Sequence, residues 1–206
     1  MPKRNSGIIY THRYGRILFQ PFLFLITANI YSQVSHQDSV NYFSHLEINE
    51  KMGNDSKGKL FQGFSAVDDK GNLITENSLV SKTTFVNFWF ASCAPCVAEF
   101  QALEKFYQNN RSKENFQFIS FTFESDSTID QIRKKYDLSF PIYHLANENC
   151  RKLLGKLGYP TSFIINEHLE IVYSDTGGPN NPEIADKFLN YFVQSELDRQ
   201  FALTRQ

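Results

Sequence analysis

The 206-residue chain is short of several things, and each shortage excludes a class of protein. It has three cysteines, too few for a small domain stapled by disulfides. Its formal net charge is −1, so no basic surplus points to nucleic acid. Seven prolines and ten glycines, without a repeat, rule out a fibrous or low-complexity chain. No acid precedes Asp38, while Lys3, Arg4, Arg13 and Arg16 do, and that absence divides the chain. The first 37 residues carry +4; the rest carries 17 cations against 22 acids, or −5.

What is present is apolar and aromatic: 41% hydrophobic residues, with 20 Phe and 10 Tyr, enough to bury a core in one globular domain. After the four cations comes a short apolar run, Ile17 to Tyr31, interrupted by Gln20 and Pro21. It falls short of the roughly 20 residues a spanning helix needs. A basic start followed by such a run reads as a secretory signal peptide cut after Ser32, or as an uncleaved N-terminal anchor. Residues 1–32 are therefore leader or anchor, 33–59 an extension and linker, 60–195 the folded domain, and 196–206 a C-terminal tail. Either reading places the domain outside the cytoplasm, in the periplasm or cell envelope, where cysteine chemistry is redox chemistry.

Within the domain, Phe64 to Val67 and Leu73-Ile74 flank a turn at Lys70-Gly71-Asn72 and predict a hairpin. Thr84 to Phe90 and Phe116 to Phe123 are unbroken apolar and β-branched runs, suited to strands buried on both faces. Between them Val97, Phe100, Leu103, Phe106 and Tyr107 recur at helical spacing. Ser127–Tyr136, capped by Ser127, and Asn149–Leu157, ended by Gly158, predict two more helices. A short strand from Phe140 to Leu145 lies between them. Ser162–Asn166 and Leu169–Tyr173 predict a second hairpin. Asn181-Pro182 has the form of a helix start. The order predicts an α/β domain: one mixed sheet with helices on both faces.

The chemistry lies at the junction of the first buried strand and helix, Cys93-Ala94-Pro95-Cys96. A helix N-terminus offers unpaired N–H groups and the positive end of a dipole, both of which stabilise a thiolate. Cys93 is thus the expected nucleophile. Cys96, one turn inside, can close a Cys93–Cys96 disulfide and resolve a mixed one. Pro95 occupies the first turn, where its missing N–H costs little. Zinc held by Cys93, Cys96, Cys150 and His144 or His168 is disfavoured, because structural zinc sites usually use two compact pairs and only one is present.

Phe85-Val86-Asn87-Phe88-Trp89-Phe90-Ala91-Ser92-Cys93-Ala94-Pro95-Cys96, then Glu99, then Gly158-Tyr159-Pro160-Thr161, resemble the thioredoxin superfamily, in particular the TlpA/ResA-like thiol-disulfide oxidoreductases. The resemblance spans roughly residues 60–195. It implies a thioredoxin-like fold with an N-terminal hairpin and an inserted strand and helix before the final hairpin. It implies that Pro160 is a cis proline facing the cysteine pair, and that an extended substrate segment pairs with Tyr159. It places Glu99 beside the cysteines as a catalytic proton carrier, against the plainer reading of a solvated helix glutamate. Asn87 stands where thioredoxin has a buried acid, and Ser92 where a tryptophan usually precedes the first cysteine.

The expected catalytic residues are therefore Cys93, Cys96 and Glu99. Trp89, Ala94, Pro95, Tyr159 and Pro160 are the expected substrate contacts, with no metal or organic cofactor. The expected function is exported thiol-disulfide oxidoreductase, reducing protein disulfides. Its partners would be cysteine-containing protein substrates and a membrane-associated thiol donor, with no nucleic acid. The alternatives are a redox-responsive binding module without turnover and a thiol peroxidase, although no activating Thr and Arg arrangement precedes Cys93. Cys150 is either a buried small hydrophobe or a second resolving cysteine.

Overall fold

A computed structural model describes residues 55–203. The leader, and the extension as far as residue 54, lie outside the described residues, as do 204–206.

Among the described residues the seven strands are β1 (Ser65–Asp68), β2 (Leu73–Thr75), β3 (Thr83–Phe88), β4 (Phe116–Thr122), β5 (Ile142–His144), β6 (Thr161–Ile165) and β7 (Ile171–Thr176). They form one sheet in the order β2-β1-β5-β4-β3-β6-β7. β3 is its middle: parallel to β4, antiparallel to β6, with all six residues buried. Its unbroken apolar sequence follows from that position, since neither face meets water.

Among the described residues the α-helices are α1 (Ala94–Asn110), α2 (Asp126–Tyr136), α3 (Asn147–Leu154), α4 (Pro182–Lys187) and α5 (Gln194–Leu203). A π-helical stretch, Phe188–Val193, joins the last two. On one face of the sheet Phe85, Phe118 and Ile164 pack with Phe100, Leu103 and Phe106 of α1 and with Phe188, Leu189 and Leu197 of the C-terminal helices. On the other face Val86, Phe88, Ile119, Phe121, Phe163 and Ile165 pack with Phe61, Phe64, Leu79 and, from α3, Cys150 and Leu154. Burying each large side chain contributes about 1.5–3 kcal/mol, so the Phe-rich composition is spent on two cores. The mixed sheet with helices on both faces is the architecture expected from the strand and helix order. β5 and α3 form the insertion before the β6–β7 hairpin, and the β1–β2 hairpin extends the sheet beyond β5.

Several boundaries differ from the sequence reading, three of them for a clear local or packing reason. Ser125, not Ser127, caps α2: its backbone is extended and its Oγ accepts the Thr128 N–H, which leaves Ser127 inside the first turn. α3 runs from Asn147 to Leu154 and stops at Gly155, whose φ of 63° suits glycine, three residues before the expected stop at Gly158. The chain also does not become a tail at residue 196. α5 continues to Leu203, because Leu197 and Gln200 face inward and Phe201 packs on the core.

Candidate active site

The turn between β3 and α1 is tied down on both sides. The Trp89 N–H donates to the Phe121 carbonyl, and the Ala91 N–H donates to Glu124 Oε1 at 2.7 Å. The Cys93 N–H closes a turn on the Phe90 carbonyl. Cys93 is then the N-cap of α1, with extended backbone, and its Sγ accepts the Cys96 N–H at 3.3 Å. The sulfur thus occupies the place usually filled by a Ser or Asp oxygen, at the positive end of a 17-residue helix. Pro95 lies in the first turn, as its missing N–H allows. Cys93 and Cys96 are joined by a disulfide with Cα atoms 5.2 Å apart. Cys93 is 6% exposed and Cys96 1%, so the N-terminal sulfur is the more accessible of two shielded ones. Ser92 and Ala94 beside it are exposed.

The loop after β7 and the residue before β6 come together beside Glu99. The Tyr159–Pro160 bond is cis, and the Pro160 carbonyl accepts the Gly177 N–H at 2.7 Å. The next residue, Gly178, lies against both the Glu99 carboxyl and Pro160. A Cβ there would collide with Glu99 Oε1 and stand 3.0 Å from the Pro160 ring. Glu99 is therefore no solvated helix glutamate: it is 4% exposed, closed in under that loop one turn along α1 from Cys96. Burial first, and neighbouring Asp175 second, push its carboxyl well above the usual carboxylate range.

Beneath α1 the sheet carries a polar row. Ser120, Asn87, Ser162 and Asp175 are register partners across β4, β3, β6 and β7, and all are buried. Asn87 Nδ2 donates to Ser162 Oγ, and the Trp89 indole N–H donates to Ser120 Oγ at 2.7 Å. Asn87 Oδ1 is buried without a hydrogen-bond partner.

Trp89 does not fit the substrate contact expected of it. Its side chain is fully buried, edge-on to Phe100 and bonded to Ser120, which makes it a support for the strand-to-helix junction. Tyr159 is half-buried and meets Phe90 and Phe123, with ring centroids 5.2 and 6.1 Å away. Sequence reasoning did not single out Glu124, Asp175 or Gly178. The run Gly177-Gly178-Pro179 has the composition of a loop, but nothing in its spacing tells which side chain a glycine must clear.

Cys150 is the free cysteine, buried in the core under the opposite face of the sheet. Its thiol donates to the Leu145 carbonyl, and burial pushes its pKa up to about 11. Alkylation of the native reduced protein at neutral pH should label Cys150 at least about a hundredfold more slowly than an unperturbed thiol. Labelling of Cys150 as fast as Cys93 would overturn the core assignment.

The Redoxin family pattern matches residues 48–189, more than half of the chain. The chain belongs to the Redoxin family. Among relatives of this Redoxin chain, the thiol-disulfide oxidoreductase ResA of Halalkalibacterium halodurans is 34% identical over 122 residues, covering 59% of this chain and 69% of that protein. The ResA of Bacillus cereus is 26% identical over 172 residues, covering 84% and 94%. A DsbE-type thiol:disulfide interchange protein of Chlorobium tepidum shares the fold, with a TM-score of 0.58 at 18% identity over 68% of this chain and 97% of that one. With these relatives, the expected TlpA/ResA-like placement in the thioredoxin superfamily holds, and this Redoxin protein is a thiol-disulfide oxidoreductase with a C-x-x-C pair.

Proposed function

We propose that this protein is exported and reduces disulfides in cysteine-containing proteins, with Cys93 as nucleophile, Cys96 as resolving thiol and Glu99 as proton carrier. The observation that carries this reading is Cys93 Sγ at the N-cap of α1, accepting the Cys96 N–H. That N–H and the helix dipole favour the thiolate form of Cys93 in the reduced protein. The Cys93 thiolate attacks a substrate disulfide, forms a mixed disulfide and releases the first substrate thiolate. Cys96, deprotonated, attacks Cys93 Sγ; the Cys93–Cys96 bond forms and the second substrate thiolate leaves. Two electrons have then passed from the protein dithiol to the substrate, and an external thiol donor must return them. A membrane-associated donor fits a domain carried outward by a +4 leader free of acids.

The cis Tyr159–Pro160 bond supports binding of an extended segment along Tyr159 and Pro160, and the exposure of Ala94 and part-exposure of Pro95 support their contact with it. Equilibration of the Cys93–Cys96 couple with glutathione tests the direction. A potential near about −270 mV, the poise of thioredoxin-type reductants, is expected. One near about −120 mV, the poise of dedicated disulfide donors, would reverse it.

A further inference from the structure

A cleft of about 590 Å³ lies between α3 and the segment that leads into β1, and the exchange chemistry makes no use of it. Its lining is of two kinds. Phe61, Leu154 and Ile171 are buried, Leu153 and Leu157 half-buried, and Leu60 is 54% exposed. Lys59, Lys152 and Lys156 line the same cleft, all exposed, against one acid, Asp55. Residues 38–206 carry −5 overall, so a cleft with three cations and one acid runs against the rest of the domain. Among the described residues none of the three lysines has an ion-pair partner. The backbone holds them in place. The Gly58 N–H donates to the Ile171 carbonyl, the Ile171 N–H to the Lys59 carbonyl and the Phe61 N–H to the Leu169 carbonyl, so the leading segment is fixed to the start of β7. Lys152 Nζ reaches from α3 to Gly63, where a Cβ would stand 3.5 Å from it.

The cleft lies at the end of the sheet away from the cysteines. Ile171 pairs with Ile165, which pairs with Thr84 at the start of β3. Cys93 follows the other end of β3, beyond Phe88, so the length of a six-residue strand, roughly 20 Å, separates the two levels. Asp55, the first described residue, also lines the cleft, and only residues 32–54 separate it in sequence from the apolar run Ile17–Tyr31. The end of the domain that receives the chain from its basic and apolar leader is thus the end that carries the lysines.

We propose that this cleft docks anionic phospholipid at a membrane surface. Lys59, Lys152 and Lys156 meet headgroup phosphates, and Leu60, Leu153 and Leu157 meet the glycerol and the first acyl carbons. Opposite charge supplies the attraction, and each lysine brought to an anionic surface strengthens docking about fivefold. The lining favours an amphiphile over a free anion. A site for inorganic phosphate surrounds it with donors, whereas six of the side chains here are apolar. Docking by this end sets how the domain stands on the bilayer and leaves the cysteine end clear of it. The inference goes beyond the exchange reaction and does not rest on it.

Lysine acetylation of the full chain, read by mass spectrometry, tests this in vesicles of phosphatidylcholine with and without phosphatidylglycerol. With phosphatidylglycerol, Lys59, Lys152 and Lys156 should be acetylated at least about fivefold more slowly, and high salt should abolish the difference. Lys105 and Lys187, ion-paired at the surface of α1 and α4, should be acetylated equally in both vesicles. In the Lys152→Glu,Lys156→Glu variant the protection of Lys59 should be lost, while reduction of a soluble disulfide keeps its rate. Lys152→Gln, read at Lys59 and Lys156, takes its place if the double variant does not fold. Equal acetylation of the three lysines in both vesicles would overturn the proposal, as would equal protection of Lys105 and Lys187. Protection by inorganic phosphate in phosphatidylcholine vesicles would mean a small-anion site, and protection there that grows with protein concentration a second copy of the chain; either would overturn the lipid. The footprint needs no turnover, so its failure is separable from failure of the oxidoreductase reading, which trapping through Cys93 reports.

Discussion

Replacing Cys93 with Ser is expected to lower disulfide exchange by at least about 10³-fold, because it removes the less buried sulfur of the pair and the one held by a helix N–H. Cys96→Ser should also stop turnover, with a different signature. The Cys93 thiolate still forms, attacks and bonds to the substrate, but nothing displaces that substrate, so mixed disulfides accumulate. Non-reducing electrophoresis with mass spectrometry of Cys96→Ser should find partners bonded through Cys93, and the Cys93→Ser,Cys96→Ser double variant should find none. Partners trapped instead by Cys93→Ser through Cys96 would invert the assigned roles. The asymmetry rests on position alone: both residues are cysteines three apart, and only the first caps the helix.

The second large effect concerns stability rather than rate. Glu99 is buried, and its folded-state pKa lies well above its ordinary value of 4.5. Below that ordinary value both folded and unfolded chains hold the proton, and the group adds no pH dependence. Between it and the folded midpoint the folded chain keeps a proton that the unfolded chain has released, so stability falls as pH rises. Above the folded midpoint the loss is complete. Glu99→Gln keeps the shape and the hydrogen-bonding capacity and removes the ionisation. It should flatten that slope and gain about 1–2 kcal/mol at neutral pH, seen as a Tm higher by roughly 3–6 °C. The same variant should slow exchange, so stability and activity move in opposite directions. Thermal unfolding of both proteins across pH 4 to 9 decides it: parallel curves would mean that Glu99 ionises as freely in the folded protein as in the unfolded one.

Both expectations depend on how α1 is mounted. The turn that leads into it is fixed by Glu124, just after β4, and by the buried Trp89, so the segment before Cys93 is anchored to the neighbouring strand. The sheet face beneath α1 carries a polar row, and Glu99 is enclosed under the loop that holds Gly178. A solvated site would have left it an ordinary carboxylate.

How much of this was legible beforehand follows from the range of each interaction. The amino-acid sequence by itself determined the strand and helix order, because periodicity and apolar runs are local. It determined the helix start at Cys93 and the first-turn place of Pro95, since caps and first turns are set within a few residues. It also marked the pair as redox chemistry. Tertiary structure alone decided the rest. It made Trp89 a core support instead of a substrate contact, carried the last helix through Leu197 to Leu203, and placed Cys150 in the core beneath the sheet face opposite α1. Above all it brought Asp175 and Gly178, 76 and 79 residues further along the chain, against Glu99. Burial and cross-strand register have no local signature. A lone Asp near the end of a strand and a Gly in a loop read as ordinary until the fold shows what they face.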